Sequence, residues 1–350
     1  MTQKKSQSGL WSRNVTIQWR VYDMLILNEE QILKSYSMKD AIEDVRKLLK
    51  AKEENKIVDV HRTVIDFPDY DASALYMPSA DLVSEVAAVK VVTIFPKNSP
   101  KGMPTTQGVL LLTDSENGTH IAMMNASYLT RLRTGALSGI ATDYLAKKDA
   151  TILTVIGTGG MAFEQVLGVL AVRSITKILL VNKTTSKAYR FGEKLEEYGI
   201  KIPFEVIEEV SEAVKQADII CCATRSTSAV LDGDNLKPGA HINGIGSYLP
   251  SMREIDETSI LKAKKIVVDD INGVKNEAGE FIHAAEKGIW SFDEIYCELG
   301  KLATESKNGR EDVHEITIFK SVGAAYYDLA VAKGIFQKAK QQGIGIEIDV

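Results

Sequence analysis

The sequence predicts an α/β protein: a doubly wound parallel sheet of Rossmann type joined to a smaller α+β domain. Two patterns predict it. From residue 151 onward, short apolar runs alternate with helical segments, and that alternation builds a parallel sheet covered on both faces. Ahead of it, a helical pattern is followed by β-like runs separated by turn residues, as in an antiparallel or mixed sheet with one flanking helix. Length agrees, because 350 residues exceed one ordinary core and suit two domains.

The elements follow in order. Residues 1–23 include "MTQKKSQSGLWSRN", which has neither periodicity nor the apolar stretch of a signal peptide. They are read as an N-terminal extension that carries little of the fold. Met24 opens "MLILNEEQI", a strand start. Residues 37–55 predict a helix with Ser37 at its N-cap and Ala41, Ile42, Val45, Leu48 and Leu49 on one stripe. The runs "IVDVHRTVID", "SALYMPS", "EVAAVKVVTIF", "QGVLLLTD" and "HIAMMNA" read as strands. A helix rich in small residues follows over 125–148. "TILTVI", "KILLVN", "ADIICCA", "AHINGI" and "KKIVVDD" are the predicted parallel strands. Residues 315–342 predict one long apolar helix returning to the first domain. The boundaries expected are 24–133 with 320–350 for the smaller domain and 134–319 for the parallel one.

Composition excludes several classes. Apolar content of 45% and charged content of 25% are those of a soluble globular protein. A net charge of −5 argues against nucleic acid as a partner. No apolar run approaches the roughly 20 residues that span a bilayer, so no membrane partner is expected and a cytoplasmic location is. Cys221, Cys222 and Cys297 form no disulfide framework, and the adjacent pair reads as buried free thiols. With scattered histidines and neither CxxC nor HExxH, no metal site is expected.

"TVIGTGGMAFEQ" (154–165) places Gly157, Gly159 and Ala162 in GxGxxA register between a strand and a helix. There the first glycine allows the tight turn and the second lets a pyrophosphate approach the backbone at the helix N-terminus, with Gly160 and Met161 completing the contact. A dinucleotide cofactor is therefore expected. The second strand ends in Asn182, Lys183 and Thr184, where an NAD-preferring site would carry an acid for the ribose hydroxyl. An amide, a cation and a hydroxyl accept a 2′-phosphate, so NADP(H) is expected over NAD(H). The same residues also suit an exposed, helix-capping turn.

Three cations interrupt apolar patterns. Lys90, inside "VAAVKVVTI", is either an edge lysine reaching water or a buried site cation, and spacing alone favours the first. Arg133 is a surface arginine on a packing helix or a ligand, and Arg62 alternates with apolar neighbours as a solvent-facing residue would. "HINGIGSYLPSMRE" (241–254) ends a buried strand on the small polar tip Gly246-Ser247-Tyr248. Ligands sit at such strand ends. His241, in the strand body, is read as structural.

The order of "RLRTGALSG", "GTGGMA", "HINGIGSYLPSMREID" and "TIFKSVGAAYYDLAVA" resembles the ornithine cyclodeaminase/mu-crystallin family over about residues 24–340. The resemblance implies a homodimer whose N-terminal domain forms the dimer and substrate face and whose Rossmann domain holds NAD(P). It implies an amino-acid or imino-acid substrate whose carboxylate docks on Arg62, Lys90 and Arg133. It puts Thr134 near the phosphates, Ala223 and Thr224 on the adenine or nicotinamide side, Ile245 and Ser247 beside the nicotinamide, and Ser321 with Gly323 across the site. Cyclodeaminases of the family carry an aspartate where this chain has Tyr248. A phenol with a pKa of about 10 is a poor base at neutral pH; it serves as a lid or hydrogen-bond donor. The expected function is an NAD(P)H-dependent reductase of cyclic ketimines such as pyrroline-2-carboxylate or piperideine-2-carboxylate. The alternatives are ornithine cyclodeaminase, an alanine-dehydrogenase-like or opine-forming enzyme, and a non-catalytic NADP-dependent ligand binder. Lys90 as acid or only as anchor stays open.

Overall fold

A computed structural model describes residues 23–350. The extension expected over residues 1–23 lies outside the described residues except for Asp23, which already belongs to a strand and pairs with Asp349. Two eight-stranded sheets organise the chain. The first runs in the order Ile346–Asp349, Asp23–Leu27, His120–Asn125, Thr106–Asp114, Val86–Ile94, Ala72–Asp81 and Ile57–Asp59, with Thr63–Phe67 also on Ala72–Asp81. It is mixed: Asp23–Leu27 is parallel to His120–Asn125 and the other pairs are antiparallel.

Helices cover one face of this sheet. Helix Met38–Glu53 starts on Ser37, whose hydroxyl accepts from Asp40 N–H while the Asp40 carboxylate accepts from Ser37 N–H, and its predicted stripe is buried. Helices Ala126–Leu145 and Ala325–Gln342 complete the layer, and Tyr327, Leu329 and Ile335 pack with Leu110, Leu112, Leu129 and Ile140 in one core. The opposite face is open. Tyr76, Val91 and Val109 form a cross-strand row there, with Tyr76 and Val109 exposed.

The second sheet is wholly parallel. Its order is Phe204–Val206, Lys177–Val181, Ile152–Ile156, Ile219–Cys222, His241–Gly244, Ile316–Lys320, Ala263–Val268 and Cys297–Glu298. Strand order reverses between Ile152–Ile156 and Ile219–Cys222, which makes the crevice above them the expected ligand position. The two flanking edge strands, Phe204–Val206 and Cys297–Glu298, are too short to show in the pattern.

One expectation is corrected. Residues 315–342 are not a single helix: Ile316–Lys320 is a buried strand between His241–Gly244 and Ala263–Val268, and the helix begins at Ala325. The run Ile316-Thr317-Ile318 is β-branched, and Gly323 takes a φ of +85° that breaks the chain direction. The boundary drawn between Arg133 and Thr134 falls inside the continuous helix Ala126–Leu145. That helix lies backbone-to-backbone against helix Ala162–Leu170, since a Cβ on Gly135 would meet the Glu164 carbonyl oxygen at 2.2 Å and one on Gly139 the Gly168 oxygen at 2.7 Å. The three cysteines are buried and unbridged. Among the described residues, no helix is long and apolar enough to cross a membrane.

Candidate active site

Lys90 sits mid-strand, opposite Met77 and Leu110, and shares their buried face. Its Nζ lies 2.5 Å from Asp328 Oδ2 and 3.3 Å from Thr130 Oγ1. On the other carboxylate oxygen, Asp328 accepts from Arg133 Nε at 3.3 Å and from Thr130 Oγ1 at 3.3 Å. The three charged side chains are no more than 7% exposed. The reading of Lys90 as an edge lysine and of Arg133 as a surface arginine is thereby overturned. Lys90 is placed by strand register on the helix side, and the helix that carries Thr130 and Arg133 meets the helix that carries Asp328 directly over it. Burial pushes the Lys90 ammonium down to about 8; Asp328 opposes the fall and Arg133 adds to it.

Arg133 keeps a free hand. Its Nη1 is buried and has no hydrogen-bond partner among the described residues. A buried guanidinium N–H left unpaired costs stability unless a ligand accepts from it. The guanidinium faces Gly323, where a Cβ would come within 2.7 Å of Arg133 Nη2. Position 323 therefore excludes a side chain both sterically and by its positive φ. Asp269 holds this loop: its Oδ2 accepts from Ser321 Oγ at 2.6 Å, Val322 N–H at 3.1 Å and Gly323 N–H at 2.7 Å.

Arg62 also reaches the loop. Its Nη2 donates to the Gly323 carbonyl at 2.9 Å and lies 3.3 Å from Glu277 Oε2. The guanidinium is mostly buried, so it is no solvent-facing residue. Burial pushes the Glu277 carboxyl up to about 7; Arg62 opposes this, and Asp269 and Asp270 reinforce it. Thus Arg62 and Arg133 meet at Gly323, and Lys90 joins Arg133 through Asp328.

The strand tip is more tightly bound than its sequence suggests. Gly246 and Ser247 are buried. Glu254 clamps them: one carboxylate oxygen accepts from Gly246 N–H at 2.6 Å and Ser247 N–H at 3.1 Å, the other from Thr224 N–H at 2.5 Å and Thr224 Oγ1 at 2.8 Å. The Ser247 hydroxyl donates to Glu280 at 2.8 Å and accepts from Lys320 Nζ, itself 3.0 Å from Glu280. Ser247 and Thr224 therefore have their hydroxyls committed within the protein, and they meet a cofactor with backbone or with carbon. Ile245 is buried and Ala223 half-buried beside them, while Ser321 spends its hydroxyl on Asp269. Tyr248 is half-buried and makes no side-chain hydrogen bond among the described residues. His241 is fully buried between Thr317 and Asn243, with burial pushing its ring down to about 3, and is structural as expected.

The glycine turn fits the phosphates of a dinucleotide. Gly157, at φ +88°, passes so close to the next strand that a Cβ would lie 2.8 Å from the Ala223 carbonyl. Gly159 and Gly160 face open space, and the Thr158 hydroxyl is buried without a partner among the described residues. Helix Ala162–Leu170 follows Met161 with no side-chain cap; its Ala162 N–H donates to the Gly159 carbonyl at 3.2 Å, and no side chain caps the N–H groups after it, which suits a phosphate. Thr134 adjoins Gly135, which packs on this helix, and donates its hydroxyl to the Thr130 carbonyl at 2.7 Å. Asn182 donates to the Thr184 carbonyl at 3.0 Å, closing the turn, whereas Lys183 and Thr184 are exposed and Thr184 caps nothing with its side chain.

Sequence reasoning missed Asp328, Asp269, Glu254, Glu280 and Lys320. The available signal was a charge inside an apolar segment, as in "YYDLAVA" and "TIFKSV".

Known proteins are similar to this chain over nearly its whole length. A Delta(1)-pyrroline-2-carboxylate reductase of Bacillus cereus is 38% identical over 326 residues, 93% of this chain and 100% of the relative. The structure of Thermococcus litoralis Delta(1)-pyrroline-2-carboxylate reductase in complex with NADH and L-proline superposes with a TM-score of 0.89 at 37% identity, covering 93% of this chain and 100% of that one. An archaeal alanine dehydrogenase dimer with bound NAD gives 0.86 at 31% identity, over 93% and 99%. The sequence profile of the ornithine cyclodeaminase/mu-crystallin family matches residues 22–343, a span that holds the glycine turn and all three site cations, and the chain belongs to that family.

Proposed function

We propose that this protein is an imino-acid reductase that uses a reduced nicotinamide cofactor to convert cyclic ketimines, pyrroline-2-carboxylate first among them, into cyclic amino acids. The observation that carries the reading is the buried Lys90–Asp328–Arg133 cluster, in which Arg133 Nη1 has no partner among the described residues. Such a cluster suits an anionic substrate that brings an acceptor with it. The likeness to a reductase bound to NADH and L-proline supports the same substrate class.

The substrate carboxylate accepts from Arg133 Nη1 and from Arg62, whose forked donors match it. A reduced nicotinamide dinucleotide, held at Gly157, Gly159 and Gly160, would supply the hydride for the imine carbon. Lys90 supplies the proton to the imine nitrogen, so C=N becomes CH–NH. At neutral pH its ammonium is still mostly protonated, yet burial has made the proton easy to release. Asp328 keeps that ammonium in place and, being held by Lys90, Arg133 and Thr130, is not the proton donor. Tyr248 closes the pocket mouth. On this reading residues 24–133 with 320–350 bind substrate and residues 134–319 bind the cofactor, NADP(H) in preference to NAD(H) through Asn182, Lys183 and Thr184. The open face bearing Tyr76, Val91 and Val109 joins two copies into a homodimer; the archaeal alanine dehydrogenase is also a dimer.

Loss of reduced-nicotinamide absorbance tests the reading against a panel of pyrroline-2-carboxylate, piperideine-2-carboxylate, pyruvate with ammonia, and ornithine with oxidised cofactor. Turnover is expected with the cyclic imines and poor with ornithine. Cyclodeamination must deprotonate a distal ammonium, for which Tyr248 is no base. Proline formed from ornithine faster than pyrroline-2-carboxylate is reduced would overturn it, and no turnover with any compound would favour a ligand binder.

A further inference from the structure

The strand tip Gly246-Ser247 rests on three charges shut away from water. Glu254, Glu280 and Lys320 are each no more than 1% exposed. Burial pushes the Glu254 carboxyl up, and Lys320 and the Thr224 bonds oppose the rise. Its two oxygens accept from three backbone N–H groups and one hydroxyl, and bonds of that number and kind hold a carboxyl in its charged form. Lys320 donates to the Ser247 carbonyl at 2.6 Å, to the Ser247 hydroxyl and to Glu280 at 3.0 Å, which uses all three N–H groups of an ammonium. Glu280 accepts from that ammonium and from the Ser247 hydroxyl, and it stands in the first turn of helix Gly279–Glu286, where negative charge is favoured. Two carboxylates against one ammonium leave one negative charge in excess. Glu254 has no cation within salt-bridge distance among the described residues. The substrate cluster has the opposite excess, with Lys90 and Arg133 around Asp328.

Sheet order says what this charge faces. A dinucleotide lies across the carboxyl ends of parallel strands, with its adenosine ribose at the end of the second strand, here Lys177–Val181. Its other half then extends past Ile219–Cys222 to the end of His241–Gly244, where the tip begins. The tip is fixed there, because a Cβ on Gly246 would meet the Thr224 carbonyl oxygen at 2.1 Å. We infer that Glu254 and Glu280 are positioning residues of the reaction, whose excess charge, acting through the tip, favours the cationic oxidised form of a nicotinamide ring over the neutral reduced form. This rests on the proposed reductase reading and deepens it. In the reduction a C–H bond breaks at the ring and a C–H bond forms at the imine carbon. The C=N electron pair takes the proton from Lys90, and positive charge is left on the ring. Fixed negative charge, held out of water beforehand, favours that change without reorganising.

The ratio of dissociation constants for oxidised and reduced cofactor tests this, measured by calorimetry without substrate and within one pair, NADP+ with NADPH or NAD+ with NADH. The proteins are the full-length chain and its Glu280→Gln, Glu254→Gln and Glu280→Gln/Lys320→Met variants. Each single variant cancels the excess charge, so the oxidised form should weaken about tenfold relative to the reduced one, which is about 30 mV for a two-electron couple. The double variant loses one charge of each sign and keeps the excess, so its ratio should return to within about twofold of the unaltered protein. A network that only braces the fold would weaken both forms alike, and the double variant most; that result overturns the inference, as does an unmoved ratio in the single variants. Should the double variant not fold, the two single variants decide: a shift toward the reduced form in both upholds the inference, and opposite shifts overturn it. Turnover of a cyclic imine with an unmoved ratio would overturn this inference alone. A moved ratio in a protein that reduces no imine would overturn the reductase reading and uphold the role of the buried charge.

Discussion

Lys90 Nζ and Asp328 Oδ2 stand 2.5 Å apart with both side chains out of water, across 238 residues of chain. The pair fixes an ammonium where burial alone would drive it to the neutral amine. Asp328→Asn removes the charge that holds Lys90 protonated. On the proposed role of that ammonium as proton donor, kcat/KM of the unaltered enzyme should fall above about pH 8, and in the variant this alkaline limb should move to lower pH. Breaking a buried ion pair also costs about 3–5 kcal/mol, so the denaturation midpoint should fall together with the shift in the pH–rate profile.

Lys90→Ala and Arg133→Ala should each lose turnover while cofactor affinity stays near normal. A hydrogen bond to a charged group is worth about 1.5–3 kcal/mol, which sets the loss in kcat/KM at about tenfold to over a hundredfold. Steady-state kinetics on pyrroline-2-carboxylate, paired with NADPH titration, would show full kcat/KM in both variants if the substrate bound elsewhere.

On the proposed reading, Glu277 competes with the substrate carboxylate for Arg62. Its carboxyl titrates near pH 7. Below that pH it is neutral and leaves Arg62 to the substrate carboxylate; as pH rises through 7 it ionises and pairs with Arg62 more strongly. KM should therefore rise across pH 6 to 8, and Glu277→Gln should flatten that rise and lower KM at pH 8. A pH-dependent KM that is unchanged in the variant would assign the titration to another group.

Asn182→Asp should reverse the cofactor preference, because the new carboxylate accepts from a ribose hydroxyl and repels a 2′-phosphate. Relative NADPH and NADH affinities measure it directly.

Val109→Glu places a charge at the centre of the open sheet face, next to Val91. Burying it in an interface without a partner is costly, so light scattering after size exclusion should show dissociation. A mass unchanged from the unaltered protein would move the interface elsewhere.

Much of the fold was legible because period and turn chemistry are local. Ser37 and its helix stripe, the glycine turn and the parallel strands all announce themselves within a dozen residues. Ile316–Lys320 did not, since a buried strand running without polar punctuation into an apolar helix has no period of its own. The site was half legible. Lys90 could be seen as odd, but whether an odd lysine is buried depends on a partner, and Asp328 lies 238 residues further along the chain on a helix that covers the same sheet. Glu254 was invisible for a similar reason. It reads as a charge past the end of a strand, yet it is fully buried because three backbone N–H groups and a hydroxyl converge on it.

The contact of helix Ala126–Leu145 with helix Ala162–Leu170 through Gly135, Gly139 and Gly168 bears on how such a protein can change over time. The first helix carries Arg133, and the second begins at the glycine turn. The distance between an incoming imine and a nicotinamide is therefore set by how closely two backbones touch, well away from either reactant. One methyl group at Gly135 would act as a wedge and retune the alignment of both at once, with every charged residue intact. Substrate range in this lineage is then under mechanical as well as chemical control, and variants selected for bulkier rings are to be sought along this seam as well as in the pocket wall.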